Sequence, residues 1–331
     1  MTAYTSTISL KKSKMIWSEL TESISNNHSF LISSHASLDG DCVGSELAMC
    51  WYLRSLSKKA MVFNAEAVLQ KFAFLHDSSI LTNEKPEGPF DVLMVLDCSN
   101  PKRLGWEGPE GMAKLVVNID HHRDNTSFGH VNIVRSDVSA TGQIIYDYFS
   151  HLKLDFPASV AEALYAAILT DTGGFRFSNT TGTVLKICAD LCDRGADPSA
   201  IYDKVYASFS PQGMMLQSRI WSTLAFHRNA TICTMEMPYD IIEQVGATYG
   251  DSEGMADLTI IAAGVDVGIL MKYSPTQTHF SLRSKGRIDV GKIAKRIEGG
   301  GGHSSAAGCT MSLPLAEAKP KMLDIIAKEL G

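Results

Sequence analysis

Leu115-Val116-Val117-Asn118-Ile119-Asp120-His121-His122 is a short, mostly apolar run that ends in an acid and two imidazoles. Its β-branched residues and length predict a buried strand, so the Asp-His-His tripeptide falls where that strand meets solvent. The same pattern recurs. Asp91-Val92-Leu93-Met94-Val95-Leu96 ends in Asp97, and Phe30-Leu31-Ile32 leads into His35-Ala36-Ser37-Leu38-Asp39-Gly40-Asp41. A fourth acid, Asp171 in Thr170-Asp171-Thr172-Gly173-Gly174-Phe175, closes the helical stretch Ser159 to Leu169.

These runs set the fold class. The helical pattern Ser45 to Leu56 separates the first strand from Met61-Val62-Phe63, and strands alternating with helices predict βαβ units and a mainly parallel sheet flanked by helices. Ligands of such sheets gather at the carboxyl ends of the strands, where three of the four acidic stations fall. Ala140 to Phe149 and Thr183 to Arg194 read as further helices, the latter closed by Gly195. The stretch from about Asp197 to Arg228 is helical in pattern without ligand types, and reads as a linker. Beyond it the period changes. Thr231 to Met235, Val265 to Tyr273 and Gln277 to Ser284 read as strands, with a turn at Ser274-Pro275-Thr276 and helices over Val290 to Ile297 and Leu315 to Leu330. The expected organisation is an α/β catalytic domain over 1–195, a helical linker over 196–228 and a smaller α/β domain over 229–331.

A chain of 331 residues has room for two such domains. Its formal net charge of -6 argues against a broad basic footprint for long nucleic acid, although bound metals can attract a short anion. The seven cysteines are scattered, and without paired CxxC spacing they read as free thiols in a reducing compartment. Lys11, Lys12 and Lys14 lead into Met15-Ile16-Trp17 without an apolar core, so no signal peptide is expected. Leu258 to Met271 is too short for a membrane span and is broken by Asp266. These features predict a cytoplasmic protein with no membrane partner.

Acids and imidazoles at four element ends are the donors that hard and borderline divalent cations take, and together they predict a two-metal site. Each has a plainer reading: Asp41 as a helix cap, Asp97 in a turn with Ser99 and Asn100, Asp171 as helix C-terminal chemistry. An acid at a helix C-terminus opposes the dipole, however, and a cation would compensate it. Gly40 is expected to let the chain bend so that Asp39 and Asp41 face different ions. Asp97, the central strand-end acid, is the natural bridge between two ions. Of the adjacent His121 and His122, one can ligate while the other faces a substrate. A separate feature is Gly299-Gly300-Gly301-Gly302-His303, which lacks the Lys and Ser/Thr of a P-loop. Its glycine amides are expected to face an anion, with His303 as a side-chain donor and Arg283 as a second phosphate contact.

This ordered set, followed by Gly-Gly-Gly-His-x-x-Ala-Ala-Gly, resembles the DHH phosphoesterases that carry a DHHA1 domain, across nearly the whole chain. Length and compact linker are most similar to the nanoRNase branch, whose members cut short oligoribonucleotides and dephosphorylate 3'-phosphoadenosine 5'-phosphate (pAp). The resemblance implies an N-terminal DHH domain, a C-terminal DHHA1 domain and two divalent cations, Mn2+ foremost with Mg2+ or Co2+ as substitutes. It assigns His35, Asp39 and Asp97 to one ion, and Asp41, Asp97, His121 and Asp171 to the other. Asp120 would steady the histidines, and His122 would face the scissile phosphate beside Asp97. Arg283, Gly300, Gly301, Gly302 and His303 would hold the far end of the substrate. Gln143 departs from the Glu common in relatives.

The expected reaction is hydrolysis of short oligonucleotides, of linear dinucleotides such as pApA and pGpG, and of pAp to AMP, by water activated between two metals. Long nucleic acid is not an expected partner, and a homodimer is the assembly kept open. The rivals are a cyclic-dinucleotide phosphodiesterase, a RecJ-like single-strand exonuclease, an exopolyphosphatase or pyrophosphatase, and a silent nucleotide-binding module.

Overall fold

The apolar runs of the first half are strands laid side by side in one direction. The computed structural model describes residues 17–331 apart from 69, 253 and 298, so Lys11, Lys12, Lys14, Met15 and Ile16 lie outside the described residues. By its internal contacts the chain divides into two units, the first ending at Ser208 and the second running Phe209–Gly331.

In the first unit β1 (Ser29–Ser33), β2 (Lys59–Phe63), β3 (Leu81–Thr82), β4 (Phe90–Leu96), β5 (Ala113–Asp120) and β6 (Val131–Val134) form a sheet of order β3-β2-β1-β4-β5-β6. Every pairing in it is parallel. Both faces are covered, which is why the strands read as continuous rather than alternating apolar runs. Phe30, Ile32, Val92, Met94, Val117 and Ile119 pack into the larger core, while Leu31, Leu93 and Val95 point the other way toward Leu104 and Met112.

On the larger face lie α1 (Gly40–Ser55), α2 (Thr141–His151), α3 (Ala158–Asp171), α4 (Gly182–Asp193) and α5 (Pro198–Tyr206). Helix α1 starts five residues before the Ser45 expected from its apolar period, because Asp39 caps it by accepting from the Asp41 and Cys42 amides at 3.0 Å each. Gly40 is therefore the first helical residue rather than a bend. Its lack of a side chain serves packing instead, since a Cβ there would lie 2.5 Å from the Thr170 side chain.

In the second unit α6 (Pro211–Trp221) is followed by β7 (Ala225–His227), β8 (Ile232–Pro238), α7 (Ile241–Val245), α8 (Met255–Leu258), β9 (Val267–Tyr273), β10 (Thr278–Ser284), α9 (Val290–Ala294), β11 (Gly301–Gly302), β12 (Ala306–Met311) and α10 (Leu315–Leu330). The sheet order is β11-β12-β10-β9-β8-β7, with β8 and β9 parallel and the other pairs antiparallel. Helices α9 and α10 cover one face through Ile293, Ala318, Met322 and Ile326, and Leu216, Ile220 and Met255 cover the other.

The 196–228 segment departs from the expected helical linker. Helix α5 buries Ile201 and Val205 in the core of the first unit, α6 buries Leu216 and Ile220 in the second, and β7 joins the second sheet. Each helix carries one apolar stripe, and each stripe is used.

Helices α1 and α3 meet closely at Gly44, where an added Cβ would stand 2.1 Å from the Ala163 carbonyl oxygen. Backbone cannot yield as a flexible side chain would. Gly44→Ala should therefore cost about 1–3 kcal/mol through overpacking despite better helix propensity. Urea denaturation compared with the parent checks it, and an unchanged or raised midpoint would show that the helices separate freely.

Candidate metal centre

Strands β1, β4 and β5 are neighbours, so the residues just past their carboxyl ends come together. His35 follows β1, Asp97 follows β4, and β5 delivers Asp120, His121 and His122. The β1/β4 boundary is where the strand order reverses, the point at which open parallel sheets bind ligands. The N-terminus of α1 adds Asp39 and Asp41, and the last residue of α3 is Asp171.

Asp97 stands at the centre, 1% exposed and with left-handed backbone at φ 50°. One carboxylate oxygen faces each side of the site. Oδ2 lies 3.5 Å from His35 Nε2 and accepts from Cys42 Sγ at 3.4 Å, and His35 Nε2 is 3.8 Å from Asp39 Oδ2. Oδ1 lies 3.4 Å from His121 Nε2 and from His122 Nδ1, and accepts from Thr141 Oγ1 at 3.1 Å. His121 Nε2 is in turn 3.0 Å from Asp171 Oδ2 and 3.8 Å from Asp41 Oδ2.

Two further acids are buried around this centre. Asp41 does not cap its own helix. It is fully buried and accepts from the Thr141 and Gly142 amides, at 2.6 and 2.8 Å, taking the positive end of α2. Asp120 accepts the His121 amide at 2.9 Å and pairs with His122 Nδ1 at 2.7 Å through Oδ1, while Oδ2 accepts from Asn125 at 2.6 Å.

The electrostatics follow from crowding. Burial, with Asp97 and Asp171 nearby, pushes the Asp41 carboxyl well above the usual range. Burial also raises Asp171, against the pull of His121. For Asp97 burial acts upward too, but hydrogen bonds with His121 and His35 outweigh it and hold the carboxyl well below its ordinary value. For His121 the burial that would lower its pKa is overcome by Asp171 and Asp97, so the ring is held well above its ordinary value.

The donor set fits divalent cations. Among the described residues three groups have donor atoms within 4.8 Å of one another: His35, Asp39, Cys42 and Asp97 on the Oδ2 side of Asp97, and on its Oδ1 side Asp97, His121 and His122 together with Asp41, His121 and Asp171. With all four ionised, Asp39, Asp41, Asp97 and Asp171 would carry more negative charge than the His35 and His121 rings neutralise even when both are protonated, and this crowding, with burial, is what raises Asp41 and Asp171. Two divalent cations beside neutral imidazoles would balance that charge. The buried Nδ1 of His35 has no hydrogen-bond partner, so nothing on that side of the ring competes for the orientation of Nε2 toward the carboxylates.

Gln143 points away from these donors, its Oε1 accepting from the Ser139 amide and hydroxyl at 3.0 and 2.9 Å. It fastens the start of α2. In the second unit the glycine run does not present a row of free amides. Gly300 donates to the Ile297 carbonyl at 2.9 Å, His303 donates to Ala306 at 2.7 Å, and Gly301 and Gly302 pair with β12. Packing demands glycine here, since a Cβ on Gly300 would lie 2.1 Å from the Ala294 carbonyl oxygen. Arg283 extends from β10 and pairs with Asp257.

Sequence reasoning missed Cys42, Thr141 and Asn125 as members of this centre. For Cys42 a signal existed: it follows Asp39 by three residues, which places both on one side of the helix start. Thr141 and Asn125 reach the site through tertiary packing, for which no local pattern speaks.

A DHH-type N-terminal domain with an acid–imidazole centre at the strand ends defines a class of phosphoesterase. The model of the DHH family N-terminal domain matches residues 29–168, and that of the DHHA1 domain matches residues 230–331. The chain is 33% identical to a bifunctional oligoribonuclease and PAP phosphatase NrnA of Thermus thermophilus, over 90% of this chain and 89% of that one. It is 25% identical to the protein of the same description in Bacillus subtilis, over 88% and 92%. The chain belongs to the DHH phosphoesterase family with a DHHA1 domain, and is a hydrolase. Among solved structures, an exopolyphosphatase-related protein of Bacteroides fragilis shares the fold with a TM-score of 0.84 at 22% identity, covering 96% of both chains. An exonuclease RecJ solved with manganese has a TM-score of 0.52 at 13% identity, covering 96% of this chain and 94% of that one.

Behind His35 lies a buried acid outside the donor set. Glu46 accepts from Ser34 Oγ at 2.7 Å and Asn64 Nδ2 at 2.9 Å, and burial raises its pKa from 4.5 to about 8. Between those pH values the folded chain keeps a proton that the unfolded chain has released. Stability therefore falls as pH rises through that window, and this group adds no slope above about 8. Gln mimics the protonated acid, so Glu46→Gln should be stabilising near pH 7 by a few kcal/mol at most, and near neutral at pH 4. Urea midpoints of the chelator-treated protein at several pH values check this; a constant difference between variant and parent would show that Glu46 is ionised in the fold.

Proposed function

We propose that this chain hydrolyses short oligoribonucleotides, including linear dinucleotides such as pApA and pGpG, to mononucleotides, and converts pAp to AMP, using two divalent cations of which Mn2+ is the first candidate. The carrying observation is Asp97, whose two oxygens face the donor groups on its two sides. The relatives from Thermus thermophilus and Bacillus subtilis, matched over most of both chains, support the substrate class. The manganese in RecJ supports the choice of metal.

His35, Asp39 and Asp97 would hold one cation, and Asp41, Asp97, His121 and Asp171 the other. Cations bound there supply Lewis-acid charge at the phosphoryl oxygens and an activated water near neutral pH. The chain's own contribution is orientation. Asp120 fixes the His122 ring through Nδ1, and Asn125 fixes Asp120, so His122 meets the scissile phosphate in one pose. In the second unit Arg283 and the His303 side chain would contact a phosphate of the substrate, with Gly300, Gly301 and Gly302 carrying no side chain to block its approach and Asp257 setting the direction of the Arg283 guanidinium. We assign catalysis to the unit ending at Ser208 and substrate binding to Phe209–Gly331. The formal charge of -6 disfavours long polyanions, and the free cysteines suit a cytoplasmic enzyme. Among the described residues no helix is long and apolar enough to cross a membrane.

The test is hydrolysis of pApA, pAp, cyclic-di-AMP, polyphosphate and long single-stranded DNA side by side, with Mn2+ and after chelation. Rapid, metal-dependent turnover of pApA and pAp is expected, and Asp97→Asn should lower kcat roughly 100-fold or more. Degradation of long strands with pApA and pAp left intact would overturn the proposal.

A further inference from the structure

The cluster on the first side of Asp97 contains one donor that neither the family resemblance nor the charge argument uses. Cys42 is fully buried, and its sulfur lies 3.3 Å from His35 Nε2 and 3.4 Å from Asp97 Oδ2. The other two edges from His35 are 3.5 Å to Asp97 and 3.8 Å to Asp39. A tetrahedral cation with thiolate, imidazole and carboxylate ligands at their normal bond lengths has ligand-to-ligand edges of about 3.4–3.6 Å. The measured spacings bracket that value.

We infer that Cys42 is the fourth protein ligand of the cation held by His35, Asp39 and Asp97, with a fifth position left to water or a phosphoryl oxygen, and that it makes this position selective for a thiophilic borderline cation such as Zn2+ or Co2+. The inference rests on the two-cation reading above. A donor set of one sulfur, one nitrogen and two oxygens suits such ions, whereas Asp41, Asp97, His121 and Asp171 offer oxygens and one imidazole, the set that Mn2+ accepts. Cys42 is the second residue after Gly40 in α1, so helix geometry and the Asp39 cap hold the sulfur in place without a flexible loop. On binding, the thiol proton leaves to solvent as the sulfur takes the metal. The two positions of one centre would then differ in metal preference.

The experiment is Co2+ titration of the chelator-stripped full chain, read by thiolate-to-cobalt charge-transfer absorption in the near ultraviolet and by bound Co2+. The parent should take up two equivalents, with a charge-transfer band that saturates at one. Cys42→Ala and Cys42→Ser should abolish the band, and the Zn2+ over Mn2+ occupancy ratio should fall at least roughly tenfold. A band that persists in both variants, or uptake by the parent without a band, overturns the assignment while leaving the two-cation reading standing. No uptake at all sinks both, so the two failures are distinguishable.

Discussion

Burying the Asp97 carboxylate at the end of a central strand, in a left-handed backbone conformation, costs free energy that only opposite charge and hydrogen bonds can offset. The first unit is arranged around that need. His35 comes from the neighbouring strand on one side, His121 and His122 from the neighbour on the other, and Thr141 from the start of α2. Each contributor arrives on a different element, so the carboxylate ties β1, β4, β5 and α2 together at one point. Since imidazoles alone would leave the fully ionised site with excess negative charge, the same arrangement is a strong attractor for divalent cations.

Asp41 shows how the fold tolerates a second buried acid beside the first. Its oxygens sit on the Thr141 and Gly142 amides, so the macrodipole of α2 and two charge-assisted hydrogen bonds partly replace the lost water. Burial and the neighbouring acids still hold its carboxyl high. Asp171 has no such support, because it ends α3 at the negative pole of that helix. Its partner is His121 at 3.0 Å. The site thus pairs one acid favoured by a helix N-terminus with one disfavoured by a C-terminus, and His121 stands near both.

Much of this was readable before any coordinates. A parallel strand buried on both faces must be apolar throughout, so an acid or imidazole just past its end is conspicuous, and His35, Asp97, Asp120 and His121 stood out for that reason. Asp171 stood out because it offends the helix dipole. The roles of particular atoms were less legible. Asp39 and Asp41 are two residues apart, and only tertiary packing decides that the first caps α1 and the second caps α2. The Gly299–Gly302 run looked like an anion cradle because consecutive glycines allow one. In the fold Gly300 and Gly302 are needed where a Cβ would strike neighbouring backbone. The helices over 198–221 were legible as helices, but amphipathic periodicity does not say which core receives each stripe.

Precision at the centre depends on contacts that carry no chemistry. Gly40 lets the start of α1 press against Thr170, and Gly44 lets the same helix seat on Ala163, which together set Asp41 relative to Asp171. On the opposite side Asn118 donates to the Val95 and Cys98 carbonyls and accepts from Asn125, which in turn donates to Asp120. That chain of amides runs from β4 through β5 to the carboxylate that holds His122. A ring fixed by such a buried, mutually satisfied network has little freedom left to lose on binding a ligand. Gln143 belongs to the same rigid arrangement: its carbonyl oxygen serves the Ser139 amide and hydroxyl, and fastening α2 needs an acceptor rather than a charge.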